Sequence, residues 1–127
     1  MADITRIYYN KLVRDNVPDV IRGKRINCEY YQITDPQEFQ QELFKKIKEE
    51  AASLSSARTR EEFLNEYADL MMVLNTIMQL LEITPEEITS IKSENHLKKG
   101  AYKHRNFLKW SEDVEYQSNE SPQGIPL

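Results

Sequence analysis

Turn-forming and redox-active residues are scarce in this 127-residue sequence, which has 3 glycines, 5 prolines and a single cysteine. So few glycines and prolines argue against an all-β sandwich, whose many short strands need turns. Cys28 has no partner for an internal disulfide and stands in a mixed polar and aromatic run, so it reads as a partly buried thiol. The 2 histidines, His96 and His104, both stand in basic surroundings, and no Cys/His spacing suits zinc. Long apolar runs are missing too. The longest, around Leu70 to Leu74, is far short of the roughly 20 residues that cross a bilayer, and the N-terminus has no signal-type apolar stretch. The expectation is a cytoplasmic protein with no membrane partner. Without a secretory signal, the Asn119-Glu120-Ser121 triplet carries no weight as a glycosylation site.

What the sequence does contain suits one globular domain, with 39% hydrophobic and 30% charged residues. Three helix starts are clearly punctuated. Asp35-Pro36-Gln37-Glu38 supplies a cap, a proline at the first helical position and a glutamate three residues after the cap. Thr59 with Glu62, and Thr84-Pro85-Glu86-Glu87, repeat the pattern. They predict helices over 35–57, 59–82 and 84–98. The short connection between the first two makes them antiparallel neighbours. Before them, Val17-Pro18 opens a short helical turn through Ile21 that Gly23 ends, and Cys28 to Ile33 is expected to run extended as an arm or short strand. Gly100 suits a C-cap. The resulting division is residues 1–34 as an N-terminal motif segment and extended arm, 35–110 as an all-α helical core, and 111–127 as a flexible acidic tail.

Acidic residues interrupt the apolar faces of the first two long helices. Phe39, Leu43, Ile47, Glu50 and Leu54 recur at the spacing of one helical stripe, with Glu50 near its middle, where a charge is costly to bury. In the second helix Phe63, Tyr67, Leu70, Leu74, Ile77 and Leu81 form the stripe, and Glu62, Glu66, Asp69, Val73 and Leu80 run along its border. Glu66 and Asp69, three apart, are neighbours on one face. Counted along an antiparallel hairpin, Glu50 stands level with Glu66 and Asp69. Alone, acidic pairs of this kind usually belong to a solvated helix edge. Three carboxylates converging on a helical core point instead to a divalent metal site.

The net charge of −4 is unevenly divided. Arg6, Lys11, Arg14, Arg22, Lys24 and Arg25 outnumber the acids before residue 26, and Lys98, Lys99, Lys103, Arg105 and Lys109 stand together with no acid among them. Basic ends around an acidic centre suggest an anionic substrate bridged to the protein through a cation.

The run Tyr9-Asn10-Lys11-Leu12-Val13-Arg14-Asp15-Asn16-Val17-Pro18 resembles the Lys-Leu-Val-Arg-Asp-x-Ile-Pro opening of small MazG-like proteins. These belong to the all-α nucleoside triphosphate pyrophosphohydrolase superfamily, alongside phosphoribosyl-ATP pyrophosphohydrolases and dimeric dUTPases. Glu49-Glu50 resembles the paired glutamates of that family's first metal helix, and Glu66-Tyr67-Ala68-Asp69-Leu70 its Glu-x-x-Asp. Lys98-Lys99-Gly100-Ala101-Tyr102 is similar to the basic segment after its third helix. The first metal helix of the family reads Glu-x-x-Glu, and here Ser53 stands where the second glutamate belongs. A hydroxyl is a much poorer ligand than a carboxylate for a hard cation.

The resemblance implies hydrolysis of a nucleoside triphosphate between its α and β phosphates. Mg²⁺, or alternatively Mn²⁺, would be held by Glu50, Glu66 and Asp69, with Glu49 or Glu50 as the catalytic carboxylate. Lys11, Arg14, Asp15, Lys98, Lys99, Tyr102 and Arg105 are the candidate substrate contacts. Three helices leave much apolar surface bare, so a homodimer or larger homo-oligomer completing a four-helix arrangement is expected. Ser53 supports an alternative, a nucleotide-binding or regulatory protein of the same fold with impaired catalysis. Overall acidity and the lack of a DNA-reading motif argue against a nucleic-acid partner.

Overall fold

The computed structural model describes residues 5–112, which contain four helices and no strand. The chain divides into two compact units, Met1–Ile88 and Thr89–Leu127. In the first lie α1 (Val17–Gly23), α2 (Pro36–Ser55) and α3 (Arg60–Leu80), and α4 (Pro85–Lys99) begins there and ends in the second.

The helix starts obey the punctuation of the sequence. The Asp35 carboxylate accepts a hydrogen bond from the Gln37 backbone N–H at 3.1 Å, and Pro36 opens α2. Thr59 accepts from the Glu62 N–H at 3.0 Å, while the Glu62 side chain reaches the Arg58 N–H rather than that of Thr59. At α4 the exchange is reciprocal. Thr84 Oγ1 accepts from the Glu87 N–H and the Glu87 carboxylate from the Thr84 N–H, a complete capping box. Gly100 closes α4 with φ of 77°, a left-handed conformation that glycine reaches without a Cβ clash. α1 is a full helix of 7 residues that contains Gly23, where a single turn ending at Ile21 was expected. The stretch 24–35 has no regular structure, so the strand considered for Cys28 to Ile33 is not formed. The Tyr31 hydroxyl ties this stretch to α2 by donating to Glu38 at 2.8 Å. Cys28 is a half-buried free thiol.

α2 and α3 pack against each other in opposite directions. Leu43 of α2 meets Val73 and Ile77 of α3, and these three are the buried hydrophobic core, with Phe39, Ile47, Leu80 and Leu12 packed on it. Leu43, 2% exposed, is the most enclosed, and burial of such a side chain contributes about 2 kcal/mol. Of the apolar residues in the opening motif segment, Leu12 alone packs on this core, while Ile7, Tyr8, Tyr9 and Val13 are exposed.

The α2 stripe lies where the periodicity puts it, with Phe39, Leu43, Ile47, Glu50 and Leu54 all buried or half-buried. The α3 stripe needs a correction. Of the expected border, Glu66, Asp69, Val73 and Leu80 turn inward and Glu62 is exposed, while Leu70, Leu74 and Ile77 of the expected stripe are buried or half-buried beside them. Phe63, Tyr67 and Leu81, expected at the centre of the stripe, are about half exposed, and the Phe63 and Tyr67 rings stack at 6.4 Å. α3 is apolar over more than one face, and hydrophobicity alone does not choose which face meets α2. The partner's stripe makes that choice.

In the second unit, the rest of α4 and the segment to residue 112 are exposed throughout, including Ile91, Leu97, Tyr102, Phe107, Leu108 and Trp110. Ser111 and Glu112 have no regular structure, and the remainder of the expected acidic tail lies outside the described residues.

Candidate metal centre

The hairpin positions its acids by the same geometry that positions its core. Glu50 stands seven residues after Leu43 on α2, about 10 Å along the axis. On α3, Asp69 and Glu66 stand four and seven residues before Val73, so the antiparallel chain brings them level with Glu50. One carboxylate oxygen from each of Glu50, Glu66 and Asp69 lies within 4.8 Å of the other two, and all three residues are half-buried. Oxygen-only donors at such spacing suit a hard divalent cation such as Mg²⁺ or Ca²⁺, which carboxylates bind better than any other side chain. The residues therefore fit the metal that the acidic pattern suggested.

Basic side chains surround the cluster. Lys11 Nζ donates to Glu49 Oε1 at 2.7 Å, and Arg14 reaches Asp69 Oδ1 at 3.4 Å. The opening motif thus lies against both long helices at the level of the acids. Both bases contact carboxylates of the hairpin, and Asp15 beside them is exposed.

Lys46 completes the set and was missed in the sequence. Its ammonium lies 3.1 Å from Glu49 Oε2 and 3.1 Å from Glu50 Oε1, with only 13% of its side chain exposed. The signal was present as the i, i+3 and i, i+4 spacing of Lys46 to the two glutamates. Burial works to lower the Lys46 pKa, but the hydrogen bonds to Glu49 and Glu50 and their charges outweigh it and hold the group above its ordinary value. Glu49 moves the other way. The hydrogen bond from Lys11, with that from Lys46 behind it, holds its carboxyl below the usual range against the effect of partial burial. Glu49 stands beside the converging oxygens without joining them, a doubly paired carboxylate of reduced basicity.

Ser53, one turn beyond Glu50, is exposed. Lys98, Lys99, Tyr102 and Arg105 belong to the second unit, at the end of α4 and in the turn after it, and all are exposed. No helix among the described residues is long and apolar enough to cross a membrane.

A family model described as phosphoribosyl-ATP pyrophosphohydrolase matches residues 24–96, a span that holds both long helices and all three converging carboxylates. No curated protein and no solved structure matches the chain.

Proposed function

The chain belongs to the phosphoribosyl-ATP pyrophosphohydrolase family, and on that premise we propose that it hydrolyses a nucleoside triphosphate between the α and β phosphates, releasing the monophosphate and pyrophosphate. Pyrophosphohydrolysis of nucleotides is the activity of the family as a whole. The finer reading rests on one observation, the convergence of Glu50, Glu66 and Asp69 to within 4.8 Å. In this reading these three hold Mg²⁺ or Mn²⁺, which when bound offsets charge on the phosphate oxygens during attack by water.

The other roles follow from charge and basicity. Arg14 exchanges its carboxylate partner for phosphate oxygens as a planar fork, and Lys11 reaches them as a point charge while it still holds Glu49. Glu49, whose basicity Lys11 and Lys46 reduce, serves better as an anchor for those two cations than as a proton acceptor. Orientation of the attacking water falls to Glu50. A homodimer would cover the exposed apolar side of α3, with Phe63 and Tyr67 at its seam.

One observation favours a second reading. Ser53 supplies no carboxylate where the resemblance to MazG-like proteins calls for one, so a nucleotide-binding protein with impaired turnover is the alternative. Both are tested by pyrophosphate release from a panel of ribo- and deoxynucleoside triphosphates with Mg²⁺ or Mn²⁺. The hydrolase reading expects metal-dependent turnover that falls by at least about a hundredfold in Glu66→Gln, the scale of losing a group that stabilises charge in the transition state. Nucleotide binding without turnover, with activity gained in Ser53→Glu, would establish the alternative.

A further inference from the structure

The cluster and its flanking acid are already balanced by the protein's own cations. Glu49, Glu50, Glu66 and Asp69 carry a formal −4, and Lys11, Arg14 and Lys46, each within 3.4 Å of one of them, return +3. A divalent ion arriving alone meets a site of formal charge near −1 and must compete with an ammonium for Glu50. Of the three cations, Lys46 is the most enclosed and the one that bridges two glutamates, at 3.1 Å from each. It rises from the same helix as both, so it cannot leave by movement of a separate segment.

We propose that Lys46 is a positioning residue that weakens the hold of the carboxylate cluster on a divalent metal unless phosphate groups arrive with it. The inference rests on the pyrophosphohydrolase reading, since it presumes a phosphate-bearing ligand. Bare metal on Glu50 leaves the Lys46 ammonium partly buried and facing another cation, which is costly. A metal carrying phosphates brings oxygens that accept the displaced ammonium. Metal and phosphate binding are thereby coupled, and by linkage each strengthens the other by the same factor. The four-to-three balance turns an acidic cluster from a scavenger of free metal into a site selective for the metal–polyphosphate complex.

The test is direct binding, with no turnover required. Mn²⁺ alone is titrated into the full chain and followed by electron paramagnetic resonance, and the manganese complex of inorganic tripolyphosphate is titrated by calorimetry. Lys46→Met is expected to bind bare Mn²⁺ about tenfold more tightly than the natural protein and the tripolyphosphate complex several-fold more weakly, within the usual range of such couplings. Lys46→Arg retains the charge and is expected to stay near the natural protein in both titrations. Lys46→Gln removes the charge with a polar side chain and serves equally if the methionine variant folds poorly. Opposite signs in the two titrations are what a merely structural lysine would not produce. Unchanged or weakened Mn²⁺ binding in Lys46→Met and Lys46→Gln, an undiminished affinity for the complex, or Mn²⁺ binding to neither form would each overturn the proposal. Failure of every nucleotide to be hydrolysed, with the opposite signs intact, would refute the hydrolase reading alone.

Discussion

Replacing Glu66 by glutamine should stabilise the metal-free protein while removing its response to metal. Among the described residues Glu66 is in no ion pair, whereas Glu50 is paired with Lys46 and Asp69 with Arg14. Its carboxylate oxygen nevertheless lies within 4.8 Å of theirs. Two like charges at that distance repel by about 0.9 kcal/mol in a water-like medium and about 3.5 kcal/mol at an effective dielectric of 20. Lys46 and Arg14 already offset the neighbouring charges, so the lower figure governs, and relief of about 1 kcal/mol is expected from an isosteric neutral side chain. For a domain of this size that is a rise in Tm of roughly 4 °C.

The assay is thermal unfolding of both proteins, first in chelator and then with Mg²⁺ or Mn²⁺. Glu66→Gln should melt higher in chelator. The natural protein should then gain about 1.4 kcal/mol at a metal concentration ten times its Kd, and the variant almost nothing, so that the gap closes or reverses. A variant that melts lower in chelator, or gains as much from metal as the natural protein, would refute the electrostatic reasoning.

Two other expectations rest on separate features. Because Lys11 and Lys46 lower the folded-state pKa of Glu49, the ion-paired glutamate contributes stability above its unfolded value of about 4.3, and this is lost as pH falls through the folded value. Equilibrium unfolding between about pH 5 and pH 3 should therefore show a shallower loss of stability in Glu49→Gln than in the natural protein; equal slopes would remove the assignment. At the exposed side of α3, Tyr67→Glu places a charge beside Phe63, and sedimentation velocity should show a shift from dimer to monomer, with a natural protein already monomeric at micromolar concentration sinking the dimer expectation.

Much of the helical framework was legible in the chain itself, because it rests on local chemistry. Asp35, Thr59 and Thr84 cap the helices they announce, and Gly100 ends the last of them, since capping joins residues no more than a few positions apart. The convergence of Glu50 with Glu66 and Asp69 could be read too. A connection as short as 56–59 leaves an antiparallel hairpin as the packing open to α2 and α3, and residue counting then sets their relative height. Resemblance of the opening motif, Glu49-Glu50 and the Glu-x-x-Asp pattern pointed to the same superfamily as the match over residues 24–96.

Tertiary structure decided what spacing leaves undetermined. α3 offers apolar residues on two faces, and Val73 and Ile77 turn inward, with Phe63 and Tyr67 left half exposed, because only that rotation meets Leu43 and sets Asp69 beside Glu50. The partners of the bases outside the long helices were likewise beyond the sequence. Lys11 and Arg14 stand 38 and 55 positions from the carboxylates they contact, and nothing local distinguishes a base that pairs with a helix from one that faces water. The sequence determined which helices form and where their acids stand in height, through interactions of short reach. Which face turns inward, and that Lys11 and Arg14 join Lys46 in balancing those acids, depended on groups that only packing brings together.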